Sequence, residues 1–154
     1  MDNNEAVRPV EGVKIPPEII ADSKAKKKAR RTLRQLPIYR DMIELKLMVA
    51  GMYNKAPKKM TKFIDSTLAT VSEAKKCVGI AEVSRNAELR SEMLTIAYAL
   101  TEDVFDDTAI LCKVGIINKH TEKEMKSLAK GIVAQCVAWR DYTNTQGAII
   151  DERI

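Results

Sequence analysis

Glycine, proline and aromatic residues are scarce in this sequence. Of its 154 residues, 6 are glycine, 5 are proline and 5% are aromatic. Because glycine and proline punctuate regular structure, their scarcity favours long uninterrupted elements of the kind found in helical bundles. No segment alternates in the β-branched and aromatic pattern that is typical of strands. These absences favour an all-α fold of one domain.

Cysteine is also rare, and long apolar runs are missing. The three cysteines, Cys77, Cys112 and Cys136, are widely spaced and form no CxxC pair. An odd number at such spacings argues against a disulfide framework. No apolar run approaches the roughly 18 residues of a membrane span, and the first residues are polar and acidic, unlike a secretory signal. We therefore expect a cytoplasmic protein that does not enter a membrane.

The sequence contains few residues suited to catalysis. Its one histidine, His120, cannot supply the Glu-x-x-His pairs of a di-iron bundle, and it is the single histidine base available to a cysteine nucleophile. The cysteines fall on or beside apolar stripes, which favours core packing. The glycines are isolated, so no phosphate-binding loop is formed. We predict no catalytic residue, no metal site and no cofactor, and hence a protein that is not an enzyme.

Apolar residues recur at spacings of three and four along four segments, which predicts four helices. Their expected bounds are 37 to 54, 57 to 83, 87 to 114 and 121 to about 143. Pro37 is expected to open the first helix and Asn86 to cap the third, and Thr121 with Glu124 matches a capping box for the fourth. The predicted stripes are Tyr39, Met42, Leu45, Val49 and Met52; Met60, Phe63, Ile64, Thr67, Val71, Ala74, Val78 and Ala81; Leu89, Met93, Ile96, Leu100, Val104, Thr108 and Leu111; and Met125, Leu128, Ile132, Cys136 and Trp139.

Short connections between these segments favour an up-down-up-down four-helix bundle over residues 37 to 143. A basic N-terminal arm, residues 1 to 36, precedes the bundle, and a polar tail, residues 144 to 154, follows it. Further apolar residues lie off the predicted stripes, which suggests burial against other copies of the chain. These residues are Ile43, Leu47, Ile80, Leu94, Ile110 and Val133.

Positive charge is concentrated in one part of the sequence. The net charge is +5, but residues 24 to 62 hold 13 lysines or arginines and two acids, a net +11, whereas the rest carries −6. A concentrated basic surface attracts polyanions, of which nucleic acid is the commonest in a cytoplasm. The predicted contact residues are Lys24, Lys26, Lys27, Lys28, Arg30, Arg31, Arg34, Lys55, Lys58, Lys59 and Lys62.

Lysine and arginine contacts to the backbone are the expected mode of binding, since no base-reading motif is present. The cations of residues 24 to 34 point all round a helix and repel one another, so we expect the arm to be ordered when bound and frayed when free. Two other interpretations of the cations stay open. They form a solubilising face, or the hexamer from Lys26 to Arg31 is a nuclear import signal.

Four carboxylates are clustered midway along the third segment: Glu102, Asp103, Asp106 and Asp107. Three interpretations are open. The cluster is a solvated helix face, or a docking surface for a basic patch of a second copy, or a pair of carboxylates for acid–base chemistry. We take these acids as candidate oligomer contacts.

The stretch from about Pro37 to Gly147 resembles a known bundle family. The features that carry the resemblance are Tyr39-Arg40-Asp41-Met42, Ala56-Pro57-Lys58-Lys59, the rhythm of Arg90, Leu94, Ala97 and Leu100, and the late Trp139-Arg140. They are similar to the Avd (accessory variability determinant) proteins of diversity-generating retroelements. They are also similar to bundle proteins encoded within intervening sequences of bacterial large-subunit ribosomal RNA genes.

The resemblance implies a homopentameric, non-catalytic protein with a basic surface. It would bind a retroelement reverse transcriptase and support RNA-templated, error-prone cDNA synthesis, and its partners would include RNA or an RNA/DNA hybrid. Lys55, Lys58, Lys59, Lys62 and Arg140 would belong to the contact surface. The alternative is an intervening-sequence-type protein, or another oligomeric RNA-binding module, that has no polymerase partner. The arm departs from the compact family form, and we hypothesise that it extends the binding surface.

Overall fold

A computed structural model describes residues 36 to 152, and this part of the chain is entirely helical apart from its connections. Its four α-helices are α1 (Pro37–Gly51), α2 (Thr61–Val83), α3 (Ala87–Lys113) and α4 (Lys119–Glu152), with single turns of 3-10 helix at Met52–Asn54 and Lys58–Met60. The prediction of an all-α fold is confirmed for these residues. The predicted basic arm lies outside the described residues, apart from its last residue, Leu36.

The predicted start signals of two helices are confirmed. Pro37 is the first residue of α1, where its missing N–H costs no intrahelical hydrogen bond. The Oδ1 atom of Asn86 accepts a hydrogen bond of 3.0 Å from the backbone N–H of Leu89, which caps α3. At the other end of α3, Gly115 has a φ of +88°, a left-handed conformation that glycine adopts without strain.

The prediction for the start of α4 is wrong. Instead of Thr121, Asn118 caps the helix, and its Oδ1 atom accepts a hydrogen bond of 2.8 Å from the backbone N–H of Thr121. The backbone N–H groups of Gly115 and Ile116 donate hydrogen bonds of 3.0 Å to the carbonyls of Cys112 and Leu111 and so close the end of α3. Glu124 does not complete a capping box. One of its carboxylate oxygens lies 3.0 Å from Nε2 of His120 instead.

The fourth helix extends past its expected end at about residue 143, because α4 continues to Glu152. Thr143 is buried, and its hydroxyl donates a hydrogen bond of 2.9 Å to the carbonyl of Trp139 within the helix. Neither proline nor a left-handed glycine interrupts the chain there, so the polar composition alone does not end the helix. Residues 153 and 154 lie outside the described residues.

The four helices pack as a four-helix bundle. α1 and α3 each lie against both α2 and α4. Most of the predicted stripes of α1, α2 and α4 are confirmed, with Ile38 in place of Tyr39 in α1. The fully buried large side chains include Met42, Leu45, Val49, Ile64, Val71, Val78, Leu94, Val104, Leu111, Met125 and Ile132.

The prediction for the first half of α3 is wrong about which side faces the core. Leu94 and Ala97 are fully buried, whereas Ile96 is 37% exposed. Leu94 therefore belongs to the core and is not an off-stripe residue. Because α3 packs against both α2 and α4, its buried residues face the space between those two helices. Met93 and Leu100 lie beside these residues and are half-buried. Thr101 also faces inward and donates a hydrogen bond of 2.7 Å to the carbonyl of Ala97.

None of the four helices described between residues 36 and 152 is both long enough and apolar enough to span a membrane.

Candidate nucleic-acid interface

The connection between α1 and α2, together with the first turn of α2, displays four of the predicted lysines. Lys55, Lys58, Lys59 and Lys62 are all exposed. The backbone N–H of Lys55 donates a hydrogen bond of 3.0 Å to the carbonyl of Met52, and that of Met60 donates one of 2.9 Å to Pro57. Pro57 stays extended, with a ψ of 153°, and separates the two 3-10 turns. The two short turns thus hold the lysines on an ordered connection.

A second connection, residues 114 to 118 between α3 and α4, lies beside the first. Residues of both connections line a groove of about 520 Å³. Three exposed lysines lie close to this second connection in sequence: Lys113 precedes it, and Lys119 and Lys123 follow it. We call this region the basic end and define it by seven lysines: Lys55, Lys58, Lys59, Lys62, Lys113, Lys119 and Lys123.

Sequence reasoning missed the last three lysines of the basic end. The sequence pattern that could have identified them is a lysine at each end of a short connection, since Lys113 ends α3 and Lys119 begins α4. Whether that connection lies beside Lys55 depends on which helices are neighbours, and periodicity within single helices does not determine this.

The carboxylates near the basic end have partners of their own. Asp65 accepts a hydrogen bond from the hydroxyl of Tyr53. Glu122 lies 3.8 Å from Nζ of Lys126, and Glu124 lies 3.0 Å from His120. Within the described residues, none of the seven lysine ammonium groups comes within 4.0 Å of a carboxylate. The basic end therefore presents positive charge that these acids do not neutralise by direct pairing.

Arg140 does not join the other predicted contact residues. It lies on α4, 21 residues after Lys119, which at 1.5 Å per residue is about 30 Å along the helix. Arg140 is half-buried, and its Nε atom lies 3.5 Å from Oδ1 of Asp141. The predicted arm residues Lys24, Lys26, Lys27, Lys28, Arg30, Arg31 and Arg34 lie outside the described residues.

The four clustered acids of α3 do not all face the same way. Asp107 is half-buried, and its Oδ2 atom accepts a hydrogen bond of 2.8 Å from the Thr67 hydroxyl on α2. Asp103 and Asp106 are exposed, and Glu102 is half-buried. One side of α3 and its C-cap carries exposed residues with a spacing of three and four. Two acids lie between two pairs of apolar side chains in this series: Ile96, Ala99, Asp103, Asp106, Ile110 and Val114. We call this line the outer face of α3.

Replacement of Asp107 by asparagine is expected to raise the free energy of unfolding at pH 7. Burial raises the pKa of Asp107 above its ordinary value, the hydrogen bond from Thr67 lowers it, and the charges of Asp103 and Asp106 raise it. Because the raised pKa belongs to the folded state, the contribution of Asp107 to stability is fully present below the pKa of the unfolded state. It is lost as pH rises through the pKa of the folded state. Asparagine removes the charge and keeps an oxygen acceptor for Thr67.

Urea denaturation at pH 7 and at about pH 3, where carboxyls are largely protonated, measures this effect. The gain should appear at pH 7 and vanish at the lower pH. The exposed neighbour Asp103 is the matched control, and its asparagine variant should show a smaller gain. A loss of stability for Asp107→Asn at both pH values would contradict the assignment of burial as the dominant cause.

The thiols of the bundle are held in their protonated form. Cys77 and Cys136 are buried, as predicted, and Cys112 is half-buried. Burial raises the pKa of Cys136 to about 12, and burial also raises the pKa of Cys77. A thiol with a raised pKa is a poor nucleophile at neutral pH, because the thiolate is the reactive form. Among residues 36 to 146, no three histidine, cysteine or acidic side chains are grouped so that they could hold a metal ion.

Compared with known proteins, the chain matches no protein-family model, no curated protein and no solved structure. The resemblance to the Avd family therefore rests on the sequence features quoted above and stays a prediction. The four-helix bundle and its basic end are the findings from which a function is inferred.

Proposed function

We propose that this chain is a non-catalytic accessory protein that binds a retroelement reverse transcriptase and its template RNA and so supports mutagenic cDNA synthesis. The observation that carries RNA binding is the basic end, where seven exposed lysines lie on, or within a few residues of, the two connections that line one groove. The resemblance of the chain to Avd proteins supplies the polymerase partner.

The chemistry of the basic end suits a nucleic-acid backbone. Each lysine ammonium is a compact point charge that neutralises a phosphate and releases its condensed counterion, so affinity falls steeply as salt rises. Contacts of this kind position the polymer and do not read its sequence. A protein that must follow a template of changing sequence is served by this mode of binding.

The proposal includes an assembly of several copies. We propose that neighbouring helices alternate in direction, up-down-up-down, and that five copies associate as the resemblance implies. The hydrogen bonds from Thr67 to Asp107 (2.8 Å) and from Gln135 to Asp41 (2.9 Å) support alternating directions. Each bond joins two residues that lie at the same height along the bundle axis when the two neighbouring helices are antiparallel. The exposed Ile96, Ile110 and Val114 on the outer face of α3 support association, together with Leu47 on α1.

Co-purification tests the polymerase partner. The chain is expressed with the reverse transcriptase encoded nearest its gene, either protein is captured, and the bound RNA is sequenced. Recovery of both proteins with one discrete structured RNA is the expected result. A matched capture with the four lysines of the first connection replaced by glutamine should recover less RNA.

Two other outcomes would overturn the proposal in different ways. Recovery of RNA without the polymerase would favour the alternative, an intervening-sequence-type or other oligomeric RNA-binding module. Recovery of neither would leave an oligomeric bundle whose basic surface has another use, and the accessory function would be wrong.

A further inference from the structure

An aromatic side chain lies among the lysines of the basic end. Tyr53 belongs to the 3-10 turn that follows α1, between the buried Met52 and the exposed Lys55. Its side chain is 36% exposed, and its hydroxyl donates a hydrogen bond to the carboxylate of Asp65 on α2. The ring is therefore fixed at both ends, by the turn and by Asp65, while part of it stays open to solvent.

A fixed and exposed ring beside lysines is the combination with which proteins bind unpaired bases. Stacking of one base on an aromatic side chain adds to the electrostatic attraction and tolerates any sequence, because every base has a π-face. In a duplex both faces of each internal base are already covered by neighbouring bases. The ring of Tyr53 can thus favour a single strand, whereas the lysines attract either form.

The groove of the basic end points to the same class of ligand. Met52 and Lys55, on either side of Tyr53 in sequence, both line it, together with Met48, Ile116 and Ile117. Its volume of about 520 Å³ falls within the range of sites that enclose small ligands, so it has room for a base but not for a double helix. Its exposed lining is more polar than apolar, which suits the polar edge of a base, and Lys55 is one of the residues that line it.

We propose that the basic end binds single-stranded nucleic acid, with one unpaired base stacked on Tyr53 and a neighbouring base in the groove beside Lys55. This inference rests on the proposed binding of RNA and names the form of RNA that is bound. The carboxylate of Asp65 accepts the hydrogen bond of the Tyr53 hydroxyl. Asp65 therefore serves to position the ring.

Fluorescence anisotropy with the full chain tests the inference. The probes are a labelled oligouridine of about 12 nucleotides, the deoxy strand of the same length, and a blunt RNA duplex, all at about 100 mM salt. Tyr53→Ala should weaken binding of both single strands about tenfold and change duplex binding less than twofold. Tyr53→Phe keeps the ring and should retain most of the single-strand affinity. The two single strands distinguish RNA from DNA as the preferred ligand.

Lys58→Gln is the matched control, since it removes a charge and no ring, and should weaken all three probes alike. Thermal unfolding of each variant shows whether the turn at the end of α1 stays folded. If Tyr53→Ala does not fold, the test rests on Tyr53→Phe. Equal effects of Tyr53→Ala on single strands and duplex, or none on either, would overturn the inference. Weaker binding by Lys58→Gln in the same experiment would still support the proposed function. If no probe binds the wild-type chain, both the inference and the proposed function are wrong.

Discussion

Replacement of Lys55, Lys58, Lys59 and Lys62 together by glutamine is expected to weaken RNA binding about 100-fold at low salt. The four side chains are exposed on the connection between α1 and α2 and on the first turn of α2, so the loss of their charge should leave the fold intact. Each phosphate contact contributes about 0.7 to the salt slope for a single strand, and four lost contacts should reduce that slope by about 3. Anisotropy titrations of a labelled RNA over a series of salt concentrations measure both quantities.

A variant with the same loss of charge elsewhere separates a local site from a net-charge effect. Arg40, Lys76, Arg85 and Lys130 are also exposed, but they lie away from the two connections that border the groove. Their joint replacement by glutamine should change the affinity only a few-fold, through the long-range field. Equal losses for the two quadruple variants would show that the basic end is not a distinct binding site.

Replacement of Leu94 by alanine is expected to lower the free energy of unfolding by about 3 kcal/mol, whereas Ile96→Ala should change it by less than about 0.5 kcal/mol. Both residues lie on α3, two positions apart, and both are branched apolar side chains. Leu94 is fully buried, so its truncation leaves a cavity between α2 and α4. Ile96 is 37% exposed, and its truncation can be filled by water.

Urea denaturation of the two variants measures this contrast directly. An unchanged slope of the unfolding free energy against urea concentration would show that the denatured state is the same in both variants. The opposite order, with Ile96→Ala the more damaging, would mean that α3 turns its other side to the core. A large loss for Ile96→Ala at high protein concentration, reduced on dilution, would instead show that the outer face of α3 is buried between copies.

The sequence allowed the bounds of α2 and α3 to be predicted closely, because local signals act there. Pro57 cannot continue a helix, and Asn86 supplies the side-chain oxygen that caps α3. The all-α fold and the stripe of α2 follow from similar reasoning, since one side of that helix is clearly apolar. These features depend on residues within a few positions of one another.

One of the features that were predicted wrongly, the side of α3 that faces the core, depends on residues far apart in the chain. In α3 two adjacent lines of apolar residues compete, and only contact with α2 and α4 decides that Leu94 is inside and Ile96 is not. The start of α4 is a local feature, and there Asn118, three residues before Thr121, supplies the capping oxygen. A capping motif in a sequence does not show which of two competing caps is used.

The candidate site could be predicted in part for the same reason. The lysines of the first connection are close together in sequence, and they are also close together in the bundle. Lys113, Lys119 and Lys123 join them through the packing of the helices, which the sequence pattern did not indicate. Arg140, which the resemblance implied, lies about 30 Å along α4 from Lys119. Tyr53 was overlooked, because a single aromatic residue in a connection carries no periodic signal.

Photo-cross-linking of the full chain to an RNA that contains 4-thiouridine tests the location of the site most directly. Mass spectrometry of the digested product identifies the peptides that carry RNA. We expect cross-links in the two segments that border the groove, residues 52 to 62 and 113 to 123, in the same preparation. Cross-links confined to the peptides around Arg40, Lys76, Arg85 and Lys130, with neither connection modified, would contradict the assignment of the basic end as the nucleic-acid interface.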